Sequence, residues 1–470
     1  MEPVLEKQLE QLISTGTYSL LKGALHGLEK EGLRVDNSGE LSRKAQPEGL
    51  ATPLTNSNLP TDYSEALLEF ITPDFEAPEA AIQFLENLHH FTYSHLEEEL
   101  IWAGSMPCHI PDATSIPIAR FGSSNIGQLK HIYRVGLEHR YGKMMQIIAG
   151  IHYNFSLSDD FWRAFQEQQG NTKTSQSFRS SSYFKMIRNF RRHSWLLLYL
   201  FGASPVLDDS FLKGKSHTLQ TLHDHTLYLP YATSLRMSDL GYSTKVQASL
   251  NICFNHLNSY IDSLDRAIHT YYPPYGRTGV KVDGKYRQLN SNILQIENEY
   301  YSDIRPKRVV QSGEKPLHAL RKNGVQYIEV RSIDINPFLM VGIDSQQAMF
   351  IDTFLISCLL MSDEVVSPDE CKMLNDNLQK VTTRGREPGL LLTTPKGEVT
   401  LTQAGNTLLA QMQMTGELLD QVHQTKAYSL SVDDQIRKLK NPALTPSAQV
   451  VAAIEKSGLN SVSYTHLTLP

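Results

Sequence analysis

The segment GLEKEGLRV, residues 27–35, constrains the fold of this chain more than any other short stretch. Side chains on a β-strand alternate between two faces, so Glu29 and Glu31 would share one face. Leu28 and Lys30 would then point the other way. Two carboxylates placed in this manner lie ~6.7 Å apart and repel by about 2.5 kcal/mol at an effective dielectric constant of about 20. A strand that keeps this pair predicts a positive partner on the same face.

Two further segments alternate in the same way, so each predicts a strand with one polar and one apolar face. IHYNFSL presents His152 and Asn154 opposite its apolar side chains. YIEVRSIDI presents Glu329 and Arg331 together. In both segments the polar face is available for chemistry while the apolar face joins the core.

Paired glutamates also occur in two other segments. EALLEFIT fits either a helix or a strand, and a spacing of four puts Glu65 and Glu69 on one face under both periods. Asp62 stands just upstream. LQIENEYY alternates, which predicts a strand with Glu297 and Glu299 on one face.

Convergence of these acidic faces would require a cation among them. Pairwise repulsions of a few kcal/mol each would rival the ~5–15 kcal/mol that stabilises a domain. Carboxylate oxygens with a single imidazole, from His152, and no thiolate favour Mg²⁺ or Mn²⁺ over zinc. The alternative is that the glutamates lie on separate, solvent-facing sheet edges, which is the commoner situation for any one strand taken alone.

The composition is typical of a soluble globular enzyme. The 470 residues are 40% hydrophobic and 20% charged, enough for a large core. The net charge of -6 provides no overall basic field for nucleic acid or an anionic membrane.

GSSNIGQLK carries Gln128 where a phosphate-binding loop requires lysine. Phosphates would instead be held by metal ions and by arginines such as Arg331 or those of IRPKR, residues 304–308, for which a solvated basic loop is an equal alternative.

The remaining periodicity predicts helices, and the spacing of the cysteines indicates a reducing compartment. The run at 195–203 is too short to span a bilayer and predicts a buried helix. The four cysteines lack CxxC spacing, which disfavours disulfides or a thiolate zinc site and favours the cytoplasm. His89, His90 and His95 are predicted on a charged outer helix face. Helical spacing is clearest in four ranges: 78–101, 182–200, 345–362 and 401–425.

Eight ordered motifs between about residues 20 and 400 carry a family resemblance: GLEKEGLRV, TDYSEALLEFITP, SMPC, GIHYNFSL, LFGASP, YLPYATSLRMSDLGY, NSNILQIENEYYSDIRPKR and YIEVRSIDINPF. Together they resemble the proteobacterial-type glutamate-cysteine ligases. The resemblance implies an α+β fold like the catalytic half of glutamine synthetase, with a curved, mainly antiparallel sheet forming a funnel-like active site and helices packed outside. It also implies that ATP phosphorylates the side-chain carboxylate of glutamate and that the cysteine amine then attacks, the first step of glutathione synthesis.

The same resemblance implies a role for each matching residue. Arg331 would face the transferred phosphoryl group. The resemblance does not identify the base for the later attack; on chemical grounds a metal-site carboxylate such as Asp62 is a candidate to take the amine proton. The magnesium (or manganese) site would comprise Glu29, Glu31, Asp62, Glu69, His152 and Glu329. The acceptor cysteine would be held by Arg236, Tyr242 and Tyr301, with the pocket wall completed by Tyr63, Tyr133, Gln146 and Asn154.

Two other functions stay open at this point: a related ligase that uses another amine, such as 2-aminobutyrate or ammonia, and a catalytically silent sensor of amino acid and nucleotide. We expect a cytoplasmic monomer with ATP, L-glutamate and L-cysteine as its partners. Residues 1–462 are predicted to form a single domain that is truncated at its C-terminus. Residues 463–470, SYTHLTLP, are predicted to be a non-native tail.

Overall fold

The computed structural model describes residues 2–241, 245–248, 250–311 and 313–468. Its strands are β1 (Leu25–Val35), β2 (Leu67–Ile71), β3 (Leu100–Ile101), β4 (Ile151–Ser156), β5 (Val206–Asp208), β6 (Gln220–His223), β7 (Thr226–Tyr228), β8 (Lys281–Val282), β9 (Lys285–Tyr286), β10 (Ile304–Lys307), β11 (Tyr327–Ile333), β12 (Leu391–Thr394) and β13 (Gly397–Thr400).

The helices surround these strands. They are α1 (Glu2–Thr15), α2 (Pro78–Tyr93), α3 (Asn125–Tyr141), α4 (Asp159–Gln168), α5 (Ser175–His193), α6 (Trp195–Phe201), α7 (Lys245–Ala248), α8 (Leu257–His269), α9 (Pro273–Thr278), α10 (Pro316–Asn323), α11 (Ser345–Leu360), α12 (Pro368–Arg384), α13 (Leu401–His423), α14 (Ala427–Lys440), α15 (Pro446–Ser457) and α16 (Ser461–Thr468).

One six-stranded sheet organises the molecule, in the order β10-β11-β4-β1-β2, with β3 also paired to β1. Every pairing in it is antiparallel. The α+β class predicted from the sequence, a mainly antiparallel sheet with helices outside, is therefore confirmed. Because β1 is flanked by β2 and β4, the first long segment of the chain occupies the centre of the sheet.

The apolar face of this sheet packs on α11. Leu28, Phe155 and Val330 are almost completely buried there. Helix α11 can occupy this position because it is mainly apolar and is buried from Gln347 to Leu360. Its first turn is closed by the side chain of Asp344, which accepts a hydrogen bond from the Gln347 N–H.

A buried polar network joins the sheet to α11 within this apolar layer. Asp352 of α11 accepts a 2.8 Å hydrogen bond from the Tyr153 hydroxyl of β4. The other carboxylate oxygen of Asp352 lies 3.0 Å from Nε2 of His26 on β1. A buried carboxylate is tolerated only when it is paired, so this network fixes the helix against both central strands.

The predicted helices are confirmed with shifted ends. Range 78–101 contains α2, 345–362 contains α11 and 401–425 contains α13. Range 182–200 divides at Ser194 into α5 and α6. All seven residues of α6 are buried, as predicted for the apolar run. In the described ranges no helix is both long and apolar enough to cross a membrane.

Three predictions made from periodicity are wrong. The LQIENEYY segment is not a strand; it contains a single 3₁₀ turn at Glu297–Glu299, because the Glu299 carboxylate turns inward to the Arg140 guanidinium at 3.0 Å. His89 does not lie on an outer face but is buried, with its ring stacked on Phe70. Glu65 lies before β2 and not on it, and its carboxylate accepts a hydrogen bond from the Arg120 N–H.

The domain boundaries stay a prediction. Residues 461–468 form α16, and His466 Nε2 lies 2.7 Å from the carbonyl oxygen of Asn37.

Replacing Phe350 with alanine should test the position of α11. Phe350 is completely buried and packs edge-on against Phe201. We expect the free energy of unfolding to fall by about 3–5 kcal/mol, because a large cavity replaces the ring. Phe91→Ala, at a position 45% exposed, is the matched control and should cost about 1 kcal/mol or less. Urea denaturation measures both, and equal losses would contradict this packing.

Candidate active site

Strands β1, β4 and β11 bring three potential metal ligands together on the polar face of the sheet. In the pairing register, Glu29 stands opposite His152, and Glu329 stands opposite Asn154. Glu29 Oε2 lies 3.2 Å and Glu329 Oε1 3.8 Å from His152 Nδ1. One ligand atom from each of Glu29, His152 and Glu329 falls within 4.8 Å of the others, which is the spacing a single ion requires.

Further carboxylates surround this group. Glu31 Oε1 lies 3.9 Å from the other ring nitrogen of His152, and Glu31 stands directly opposite Glu69 in the β1–β2 register. Asp62, which precedes β2, is close enough to both glutamates to raise their pKa values. The structure therefore gathers all six residues of the predicted metal site on one face, whereas their roles as ligands stay predictions.

Burial and mutual repulsion shift the pKa values of the carboxylates in this cluster in different directions. Burial, followed by the charges of Glu29, Asp62 and Glu31, raises the pKa of Glu69 well above its usual value. Burial also raises the pKa of Glu31. In contrast, although burial opposes it, the charges of Lys307 and Arg331 hold the pKa of Glu329 well below its usual range. A divalent cation would supply the charge that the Glu69 side of the cluster lacks.

The residues present fit Mg²⁺ or Mn²⁺. Oxygen Oε2 of Glu329 is fully buried, and within the described ranges no hydrogen-bond donor reaches it. A buried carboxylate oxygen without a donor is costly unless a cation contacts it. The ligand set of carboxylates with one imidazole is the hard-donor set that these two ions prefer, and it contains no cysteine.

Basic side chains stand beside the acidic cluster. Arg331 Nη1 lies 3.1 Å and Lys307 Nζ 3.5 Å from Glu329 Oε1. Of the basic IRPKR segment, Lys307 thus faces the site, while Arg305 is buried and donates to the carbonyls of Asn298 and Tyr300. The alternative that this segment is a solvated loop is wrong, since it forms β10.

Arg134 of α3 is a residue that the sequence did not single out. Its guanidinium stacks on the Phe121 ring at 4.5 Å and reaches to 3.8 Å from Asp62 Oδ1. Its Nε–H also donates to the Asp62 backbone carbonyl. Arg134 lies on a helix of ordinary polar composition, so no local pattern marks it; only the tertiary fold carries it to the site.

A cavity of about 240 Å³ opens next to the cluster. Arg236, Tyr301 and Arg331 line it, together with the ion pair of Arg191 and Asp303, whose charged atoms lie 3.9 Å apart. This ion pair was also missed, although Asp303 stands inside one of the quoted motifs. The cavity provides positive charge at a position where a carboxylate or phosphate could be bound.

The side chain of Arg236 is held from two directions at the cavity wall. Its Nη2–H donates to the Arg331 carbonyl at 2.8 Å, and its Nη1 lies 3.6 Å from Asp334 Oδ1. Gly150 makes room for it, because a Cβ at residue 150 would lie 1.9 Å from Arg236 Nη2. The glycine that opens the GIHYNFSL motif is therefore required by the packing of Arg236.

The remaining predicted pocket residues occupy different positions. The Tyr301 hydroxyl donates to Gln146 Oε1 at 3.0 Å, which places Gln146 behind the cavity wall. The Tyr63 hydroxyl is buried, as is the Gln146 amide nitrogen, and within the described ranges neither atom has a hydrogen-bond partner. Tyr133 is partly buried beside them. Tyr242 lies outside the described residues.

Asn154 sits nearer to the acidic cluster than to the cavity. Its side-chain amide donates to Glu29 Oε1 at 2.8 Å, while its own Oδ1 is buried without a donor in the described ranges. The other paired glutamates do not join the cluster. Glu297 accepts a hydrogen bond from the Leu317 N–H at the start of α10, and Glu299 pairs with Arg140.

Comparison with known proteins gives consistent matches along the chain. A family model described as glutamate-cysteine ligase matches residues 9–381. A glutamate–cysteine ligase of Pseudomonas fluorescens Pf-5 is 50% identical over 469 residues, covering 100% of this chain and 88% of that protein. One from Pseudomonas putida W619 is 52% identical over 433 residues, covering 92% and 82%.

The fold matches as well. The crystal structure of the Francisella tularensis glutamate–cysteine ligase in complex with AMP has a TM-score of 0.88 and 37% identity, covering 94% of this chain and 87% of that one. The matches define the class of the protein as an ATP-dependent ligase. Within that class, the chain belongs to the glutamate–cysteine ligase family.

A titration with Mn²⁺ tests whether the cluster binds a metal ion. The electron-paramagnetic-resonance signal of free Mn²⁺ decreases as the ion binds, and this decrease gives the affinity. Glu329→Gln should weaken Mn²⁺ binding at least ~10-fold, because it removes a buried anionic oxygen from the ligand group. Glu65→Gln is the matched control, because Glu65 is also a glutamate of the EALLEFIT segment but lies outside the cluster. The affinity of this variant for Mn²⁺ should equal that of the parent protein. Equal affinities for all three proteins would contradict a metal site here.

Proposed function

We propose that this chain joins the γ-carboxylate of L-glutamate to the amine of L-cysteine, with ATP converted to ADP and phosphate through γ-glutamyl phosphate. Membership of the glutamate–cysteine ligase family is the observation that carries this proposal. The AMP bound to the Francisella relative supports a nucleotide site on this fold. The product would be γ-glutamylcysteine.

The acidic face would prepare the phosphoryl transfer. Glu29, His152 and Glu329 would hold a divalent cation, with Glu31, Glu69 and Asp62 positioned for others. Bound there, Mg²⁺ or Mn²⁺ would neutralise charge on the phosphate oxygens. Arg331, already oriented by Glu329 at 3.1 Å, would donate hydrogen bonds to the transferred group. The glutamate carboxylate is ionised near neutral pH, so this step needs no base.

The second step requires a free amine. Asp62 is proposed to accept the amine proton, because its carboxylate is 43% exposed at the edge of the cluster and is therefore accessible to a bound substrate. As the new C–N bond forms, the bond between the acyl carbon and the phosphate oxygen would break, and phosphate would leave as an anion next to Arg331.

The acceptor pocket would recognise an α-amino acid. Arg236 offers a fixed guanidinium for the carboxylate, and Tyr301 offers a hydroxyl on the same wall. Gln146 would orient Tyr301 through their hydrogen bond, and Tyr63, Tyr133 and Tyr242 are assigned to this pocket from the family motifs alone. This chemistry favours cysteine over ammonia, whereas 2-aminobutyrate would satisfy the same contacts.

We further propose that the protein acts as a cytoplasmic monomer. Its four cysteines are unpaired and scattered, which suits a reducing compartment. The silent-sensor alternative would require loss of a metal carboxylate or of Arg331, and each of these residues is present.

Phosphate release tests the reaction. With ATP, Mg²⁺ and L-glutamate, release should be stimulated by L-cysteine and 2-aminobutyrate and less by glycine or ammonium. Glu29→Gln and Arg331→Lys should each lower cysteine-stimulated release by roughly 10²-fold or more, because the first removes an anionic oxygen proposed to hold the metal ion and the second keeps the charge but loses the planar guanidinium proposed to contact the phosphoryl group. Glu65→Gln should leave the rate unchanged. Robust turnover by either site variant would count against the assigned roles.

Gly150→Ala tests the role of Arg236 without changing a charged residue. The added Cβ must displace the Arg236 guanidinium, so we expect KM for cysteine to rise about 10-fold or more while KM for ATP stays within about twofold. Gly104→Ala is the control, since its Cβ would approach no atom closer than 3.2 Å. An unchanged KM for cysteine would place the acceptor carboxylate elsewhere.

A further inference from the structure

Lys30 is a buried amine that the proposed reaction does not use. It stands between Glu29 and Glu31 on β1 and points to the opposite face of the sheet, where only 3% of the residue is exposed. In the described part of the chain no carboxylate oxygen lies within 4 Å of its Nζ, which stands 5.6 Å from the centroid of the Phe70 ring. A buried lysine without a counter-ion is uncommon, since each such charge costs stability.

The hydrogen-bond partner of Lys30 is an imidazole acting as an acceptor. Nδ1 of His89 lies 2.9 Å from the Leu85 carbonyl, which can only accept, so Nδ1 carries the ring hydrogen. Nε2 of His89 therefore accepts from Lys30 Nζ at 2.6 Å. This contact uses one N–H of the amine and leaves the other donors available.

The wall that Lys30 and His89 form belongs to a cavity of about 180 Å³. Its other walls are mostly apolar: Ile101 and Trp102 come from β3 and the residue after it, and Ile335 and Val341 come from the loop that follows β11. Glu86 also lines the cavity. Its carboxylate accepts a hydrogen bond from the exposed Gln83 amide at 3.0 Å and lies beyond 4 Å from Lys30. The cavity thus combines one amine that has no carboxylate partner with walls that are mainly apolar, and Glu86, His90 and Tyr93 contribute to the lining.

We propose that this cavity binds a small aliphatic monocarboxylate, with the carboxylate on Lys30 Nζ and the hydrocarbon part against Ile101, Trp102 and Ile335. The carboxylate would supply the counter-ion that the amine lacks, and a charge-assisted hydrogen bond in an apolar wall is strong. The site lies on the face of β1 opposite the acidic cluster. The proposal is independent of the catalytic roles assigned above.

Calorimetric titration of the full chain with 3-methylbutanoate tests this site. The titration contains saturating ADP, Mg²⁺, L-glutamate and L-cysteine, so that the substrate pocket is filled. We expect saturable binding with a Kd in roughly the millimolar range, and none with the uncharged 3-methylbutanamide. Absence of saturable heat, or heat that appears only when the substrates are left out, would overturn the proposal.

Two variants and a control locate the binding. Lys30→Met should weaken binding of 3-methylbutanoate by about 10-fold or more, because it keeps the length of the side chain but removes the donor. Ala103→Leu, which fills the cavity and keeps Lys30, should weaken it comparably and covers the case in which Lys30→Met does not fold. Lys372→Met, at an exposed lysine, should bind as the parent does. Binding unchanged in Ala103→Leu, or in a folded Lys30→Met, would refute the site.

Discussion

Repulsion among carboxylates on one face of a central sheet is the constraint to which the rest of the structure responds. Strand pairing puts Glu29, Glu31 and Glu69 on neighbouring strands, and β11 adds Glu329. Basic groups offset part of this charge, with Lys307 and Arg331 beside Glu329 and Arg134 beside Asp62. The acidic residues of the cluster are placed by backbone hydrogen bonding and not by attraction, which is the pre-organisation that a cation-dependent active site requires.

Apolar packing on the opposite face of the sheet offsets the destabilising repulsion among the carboxylates. Buried aliphatic and aromatic side chains pack on α11, and the Asp352 network ties that helix to β1 and β4. Because strand side chains alternate strictly, a single strand can serve both purposes. The period that sends Glu29 and Glu31 toward the site also sends Leu28 and Lys30 away from it.

Sequence reasoning succeeded where a strong local period exists and failed where tertiary contacts override it. Alternation identified β1, β4 and β11 with their polar faces, and helical spacing identified α2, α11 and α13. The LQIENEYY segment has the same alternation, yet the pull of Arg140 on Glu299 breaks it into a turn. The positions of Arg134 and His89 could not be predicted from local patterns, because their contacts, with Asp62 and Phe70, lie on other elements of the fold. The residue roles came from the family resemblance, since periodicity gives faces and not functions.

The strand order has a consequence for synthesis of the chain. β1 is made first among the sheet strands, but its neighbour β4 follows about 115 residues later and β11 about 290 residues later. At the ribosomal rate of roughly 5–20 residues per second, β1 waits tens of seconds for the strands that complete the acidic face. Until then the polar face lacks His152 and Glu329, so the group of three potential metal ligands cannot form before β11 has been synthesised.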